Sequence, residues 1–425
     1  FSYNDTSNFK HCPKNYEVAS KIEYSINKKN LLTFESKLSM NNINHEKETI
    51  LNQTQKILES QNTKGLYWTT TSEFTHKLNQ NSALQLKSTY TQSYNLQYLH
   101  LNSSTSDFLA DLQKVNTNTQ YYQNQLFLYL KTKYSKINIS IGNSYNESCF
   151  FSNLSKAQKT VNEAQNDFQY NFRTIYAGFL SDTKFANWQF KPELKISSLI
   201  NSAFYRLTSH AIKANDLLIT PKIVINYSKN TLHKFTFNSE IAFLNTPFDY
   251  LYTQTILENP RTLKNNVVNL DLQRKENISF GYRYYEPFAF FSSFILFYLN
   301  KNTNSFINNL QIQEQYTTIT YFKTPISTYN SGISIGLDKL ISPLKTSFKY
   351  STSLSKTNYF NQINNSELRN NYSYNQSHSL FLKTGFSSPF GFENRISFTR
   401  TKFETNKIKS NTLSAFENSY KFIYK

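Results

Sequence analysis

Leu84–Leu99, LQLKSTYTQSYNLQYL, decides the fold. Leu84, Leu86, Tyr90, Tyr94, Leu96 and Tyr98 share one parity, while Gln85, Lys87, Thr89, Thr91, Ser93, Asn95 and Gln97 share the other. A period of two sends these sets to opposite faces of a strand. Soluble strands average about five or six residues. A run this long with one apolar face matches the tilted strands of about 9–11 residues that cross a bilayer in a barrel.

The alternation recurs along the chain. Val18, Ile22, Tyr24 and Ile26 oppose Glu17, Lys21, Glu23 and Asn27. Ile137, Ile139, Ile141 and Tyr145 oppose Asn138, Ser140, Gly142 and Ser144. Trp188, Phe190, Leu194, Ile196 and Ile200 oppose Gln189, Lys191, Glu193 and Lys195. Phe235, Phe237, Ile241 and Phe243 oppose Lys234, Thr236, Asn238 and Glu240, and similar runs cover Leu344–Leu354 and Tyr372–Phe386. About seventeen strands are expected, with nothing helical of comparable length between them. The fold class is therefore all-β: a large antiparallel transmembrane barrel in an up-and-down meander.

The connections alternate too. Short turns are expected at Asn27–Asn30, Asn79–Ser82, Ser135–Lys136, Lys229–Asn230, Glu286–Pro287, Ser342–Pro343 and Ser387–Phe390. Long polar loops are expected at Asn41–Thr63, Asn102–Thr119, Ser152–Asn166, Asn245–Asn266, Asn300–Asn330 and Ser355–Asn370. Tight periplasmic turns and long extracellular loops are the asymmetry of outer-membrane barrels.

Composition narrows the alternatives. The 425 residues carry no Pro/Gly-rich linker, so residues 1–425 read as a single barrel domain. Aromatics reach 16%, with 31 Tyr and 36 Phe, which suits the girdles where rings meet lipid and hydroxyls meet headgroups. The mean hydropathy of −0.57 and the lack of a run of about 18 apolar residues argue against spanning helices. A barrel needs only every second residue to be apolar, so it tolerates that value.

The net charge of +18 invites an acidic partner. Yet the lysines are spread over polar faces and turns, and Asn, Lys, Ile, Phe and Tyr abound as an AT-rich genome dictates. Nucleic-acid binding requires a clustered stripe or a known module, and neither is found. Basic residues at the lipid boundary remain available to lipopolysaccharide phosphates. Cys12 and Cys149 exclude a disulfide framework. His11–Cys12 lacks the further ligands a metal needs. The other histidines are scattered, no phosphate loop occurs, and the chain reads as no enzyme, with no cofactor or metal.

Phe1 is not an initiator Met, and no secretory signal follows it. The odd strand count departs from the even number of closed bacterial barrels. A segment of a larger barrel is expected, with open edges at a first strand near Glu17–Asn27 and a last strand at Thr412–Tyr424.

Three stretches carry a resemblance. They are Thr220–Phe237 (TPKIVINYSKNTLHKFTF), Leu251–Leu263 (LYTQTILENPRTL) and Phe280–Tyr298 (FGYRYYEPFAFFSSFILFY). In this order they resemble the late barrel of TonB-dependent outer-membrane receptors of Bacteroidetes, and the likeness extends loosely over Gly332–Phe403. The resemblance implies a 22-stranded barrel closed by an N-terminal plug with an energy-coupling box, neither of which this sequence shows. It implies import of a scarce nutrient (a siderophore, glycan or peptide) across the bacterial outer membrane. The implied partners are a TonB-type coupling protein acting through the plug, outer-membrane lipid and lipopolysaccharide, and a surface lipoprotein. A passive or structural barrel (porin, adhesin or secretion component) shares the fold and stays open as a second reading.

On the loop Asn245–Asn266, the rings Phe248, Tyr250 and Tyr252 and the cation Arg261 are candidate substrate contacts. Exposed rings can stack on sugars, siderophore rings or peptide side chains. The same rings could instead pack the loop against its neighbours.

Overall fold

The computed structural model describes residues 6–51, 55–103, 111–156, 159–160, 164–230, 232–259, 261–313, 316–385, 389–406 and 408–424. In chain order the strands are β1 (Thr6–Asn27), β2 (Asn30–Leu51), β3 (Gln55–Asn79), β4 (Ser82–Ser103), β5 (Leu112–Lys131), β6 (Ser135–Lys156) and β7 (Lys159–Thr160). Then come β8 (Asn166–Phe185), β9 (Trp188–Tyr205), β10 (His210–Lys229), β11 (His233–Leu244), β12 (Ile256–Asn259), β13 (Thr262–Asn266), β14 (Gln273–Glu286) and β15 (Phe291–Thr303). The last are β16 (Phe306–Ile312), β17 (Thr317–Lys323), β18 (Thr328–Ile341), β19 (Thr346–Ile363), β20 (Arg369–Thr384), β21 (Phe390–Thr405) and β22 (Ile408–Tyr424). Five of these 22 strands (β7, β12, β13, β16 and β17) lie in connections, and the other seventeen make one antiparallel meander wall.

The expected meander is thus observed, as an open sheet. Among the described residues β1 pairs only with β2, and β22 only with β21. Turns such as Asn230, Pro287 and Pro343 fall at one end of the wall, and the 245–272 and 364–368 connections fall at the other. Of the turn at Ser387–Phe390, residues 387 and 388 lie outside the described residues.

The two parities sort as the sequence predicts. Phe237 faces Ile225 on β10 and Phe280 on β14, and Phe235 faces Tyr227 and Tyr282. The Phe235 ring lies 4.7 Å from that of Tyr282. Ile175, Phe179, Trp188, Leu194, Ile196, Leu217 and Ile219 crowd the same outer face and are all exposed, as lipid-facing side chains are in the absence of lipid. Acid–base pairs such as Glu73–Lys87 (2.6 Å) and Asp338–Lys349 (2.9 Å) sit on the inner face.

Three of the expected loops are largely wall strand. β2 runs to Leu51 and β3 starts at Gln55, so Asn41–Thr63 is mostly wall, and much of Asn102–Thr119 and Ser355–Asn370 is wall as well, while Ser152–Asn166 gives the wall only 152–156 and Asn166. The reason is physical. Alternation marks lipid contact, whereas a strand standing clear of the bilayer has water outside and no need of an apolar outer face. β3, at 25 residues, spans about 80 Å if fully extended, far more than the hydrocarbon core of about 30 Å.

Where the strands leave the apolar band, the faces exchange character. On β2 the outer parity turns polar at Asn42, Asn44 and Glu46. The inner parity turns apolar: Leu99, Leu101, Phe150, Leu154, Phe168 and Tyr170 are all buried there. Lower on the inner wall, bulky rings lie over glycines of the next strand. Phe294 on β15 pairs with Gly336 on β18, and a Cβ at Gly336 would meet the Phe294 ring at 2.1 Å. Of the nine left-handed positions among the described residues, five are Asn (Asn230, Asn304, Asn364, Asn365 and Asn406), the residue type that tolerates them best after glycine.

Candidate functional site

The apolar inner patch exists because a folded loop rests on it. Residues 245–272 turn inward from β11, reach back past β10, and pack on β4 to β9. Phe150, Phe168, Tyr170, Ala203 and Tyr205 of the wall form one cluster with Leu251, Tyr252 and Leu270 of the loop, and Phe248 packs against it. Leu99, Leu101, Leu154 and Ala164 form a second cluster with Leu257 and Leu263.

Side-chain amides complete the seam. Gln113 Nε2 donates to the carbonyl of Leu257 at 2.9 Å, and the Leu257 N–H donates back to Gln113 Oε1 at 2.6 Å. Asn166 repeats the device on Gln254, with Nδ2 to the carbonyl at 3.2 Å and the Gln254 N–H to Oδ1 at 2.9 Å. Tyr205 donates its hydroxyl to the carbonyl of fully buried Leu251 at 2.8 Å. Each contact satisfies a backbone group that burial would otherwise penalise.

The far side of this loop joins the next one. β12 pairs with β13, β13 runs parallel to β17 (Thr262↔Thr317 to Asn266↔Tyr321), and β17 pairs with β16. β16 then runs parallel to the loop end of β19 (Asn308↔Asn361 to Leu310↔Ile363). The result is a continuous hydrogen-bonded strap from the β5 side of the wall to β19. In the meander those two strands are separated by β6, β8, β9, β10, β11, β14, β15 and β18.

The strap also places the residues that the sequence singled out. Tyr252 is buried, with 5% of its surface exposed, and its carbonyl accepts from Asn266 Nδ2 at 3.0 Å. Burial, then the charge of Asp249, pushes its phenol well above the usual range. Phe248 is half-buried, 5.3 Å from the ring of Phe168 and 5.6 Å from that of Phe150. Tyr250, also half-buried, stacks on Phe306 at 4.3 Å and meets Tyr321 edge-on at 5.0 Å. Arg261 sits in the β12–β13 turn, and its carbonyl accepts from the Thr317 N–H at 2.8 Å.

Two lysines complete the aromatic centre of the strap, and sequence reasoning did not single them out. Lys264 Nζ lies 5.2, 5.6 and 5.0 Å from the ring centres of Tyr250, Tyr252 and Tyr321. Lys323 Nζ lies 4.8 Å from the Phe306 ring and donates to the carbonyl of Asp271. Burial draws the Lys323 ammonium down to about 8. The centre offers rings, hydroxyls and cations. Among the described residues no three His, Cys, Asp or Glu side chains come together to hold a metal, and His11 meets only His45 across the strands, 6.1 Å between rings.

No protein-family model and no curated protein matches the chain. Solved structures do. The copper transporter OprC superposes with a TM-score of 0.56 at 8% identity, over 98% of this chain and 78% of the transporter. The unliganded ferric citrate transporter FecA gives 0.49 at 8% identity, over 98% of this chain and 78% of that one. The alcaligin outer-membrane receptor FauA from Bordetella pertussis gives 0.45 at 8% identity, covering 99% and 75%. At such identities the likeness is one of fold alone.

Proposed function

We propose that the chain is the barrel domain of a TonB-dependent receptor that imports a scarce nutrient (a siderophore, glycan or peptide) across the outer membrane. The observation that carries this reading is the strap. A passive channel is served by an unobstructed lumen, whereas a receptor needs a binding surface at its mouth and a barrier behind it. The strap supplies the surface: Tyr250 and Arg261 provide contacts, and Phe248 and Tyr252 fix the loop that carries them. In this reading a TonB-type protein acts through a plug seated in the lumen, a surface lipoprotein covers the mouth, and lipopolysaccharide surrounds the wall. Further strands also cover the edges of β1 and β22, since each bare N–H or C=O in hydrocarbon costs several kcal/mol.

The test is electrical and energetic. Planar bilayers holding the protein are expected to show no steady conductance, and nutrient uptake by cells producing it is expected to stop when the inner-membrane proton gradient is collapsed. A constant open conductance with uptake indifferent to the gradient would sink the receptor reading in favour of a passive barrel.

A further inference from the structure

On the outer face of β19, β20 and β21, beyond the apolar band toward the strap end, three side chains stand in direct cross-strand register. Lys356 pairs with Tyr374, and Tyr374 pairs with Lys402. Their parity is the lipid-facing one, since Leu354 precedes Lys356 by two residues and Phe398 precedes Lys402 by four. Lys356 Nζ lies 4.7 Å from the centre of the Tyr372 ring and 5.2 Å from that of Tyr374, and Lys402 Nζ lies 5.6 Å from the Tyr374 ring. Glu404 pairs with Lys402, and Arg400 stands exposed two residues nearer the band.

The charge does not balance. Three cations face one carboxylate, and two ammonium groups attend a single ring. A tyrosine face attracts a cation, but like charges this close repel, and the lipid boundary screens them poorly. One-to-one acid–base pairs do occur on the wall, as in Glu73–Lys87 and Asp338–Lys349, and this spot is not one of them. The excess at this spot therefore calls for an anion from outside the chain. It sits at headgroup height on the outward face, where the available anion is a lipid phosphate, and the flanking tyrosines are suited to the sugar ring that bears it.

We propose that Lys356, Lys402 and Arg400, with Tyr372 and Tyr374, form a docking pad for the phosphorylated glucosamine headgroup of lipopolysaccharide. The choice of leaflet rests on the receptor reading, in which the strap end is extracellular.

The test uses the purified full protein in detergent, titrated with lipid A. Replacing all three cations (Lys356→Gln, Lys402→Gln, Arg400→Gln) is expected to weaken lipid A binding by roughly tenfold or more. The charge-conserving pair Lys356→Arg and Lys402→Arg is expected to retain it. Heat-modified gel migration of each variant separates lost binding from lost folding. Unchanged lipid A affinity in a folded triple glutamine variant overturns the proposal. Equal affinity of the unaltered protein for phosphatidylglycerol overturns it as well, since the surface would then be merely anionic-lipid-binding. The receptor reading fails on conductance and gradient dependence, which this titration does not measure, so the two failures are distinguishable.

Discussion

Gln113 on the wall and Leu257 on the strap, 144 residues apart in sequence, pair as two peptide groups do, each donating one hydrogen bond to the other. Both are buried. Gln113→Leu keeps the bulk and removes both partners of the Leu257 backbone, a cost of about 1–3 kcal/mol per orphaned group. Hydrogen exchange over 245–272 is expected to accelerate by at least an order of magnitude while the wall strands keep their protection. Unchanged exchange in the strap would show that the amide seam does not hold it.

Gly336 is expected to be intolerant for a reason that lies on its neighbour. Gly336→Ala drives a Cβ into the Phe294 ring and should destabilise by about 1–3 kcal/mol. Pairing it with Phe294→Ala relieves the clash, so the double variant should lose less than the sum of the singles. A strictly additive cycle would contradict the contact.

Phe237 should be sensitive to charge because lipid lies beside it. Phe237→Arg is expected to cost about 2–4 kcal/mol near the midplane, read from unfolding in lipid vesicles. The same replacement at Asn238, on the inner parity, should cost far less. Equal penalties at the two positions would mean that the faces are not lipid and lumen.

Topology can be checked on intact cells. A thiol reagent that does not cross the membrane should label Asn365→Cys and leave Asn230→Cys untouched, because the two lie at opposite ends of the wall. Labelling at position 230 alone would invert the orientation.

The strap should tighten in mild alkali. Burial lowers Lys323 from 10.5 to about 8, so between those values the folded strap binds fewer protons than the unfolded segment. Stability therefore rises with pH across that window, and below about pH 8 the buried charge weighs against the folded strap. Protection of 304–327 from exchange, corrected for the intrinsic rate, should grow from pH 8 to pH 10, and Lys323→Met should abolish the trend.

The wall was legible because its physics is local. One apolar face every second residue is enough to assign the parity of β4, β6, β9 and β11, and the structure keeps each assignment. The protruding parts of β2, β3 and β19 were read as loops because a strand with water outside carries no alternation. The strap was hidden for a different reason: its pairings join residues brought together only by the finished wall, such as Thr262 with Thr317. One sign of it stood in the sequence nonetheless. Leu99 and Leu101 break the polar parity of Gln85 to Gln97, and they do so where the strap rests. At the candidate loop the sequence offered Phe248, Tyr250, Tyr252 and Arg261, but their lysine neighbours Lys264 and Lys323 come from pairings it could not reveal.

The strap also bears on the order in which the molecule can form. Wall hairpins close between neighbours in sequence and can zip as the chain arrives, whereas contacts of long separation come late because loop closure must precede their reward. Seating the strap requires β4 to β9, both long connections and the end of β19 together. A nascent chain that has not yet delivered Ile363 can hold a wall but no finished mouth. The strap is thus set only after most of the wall is in place.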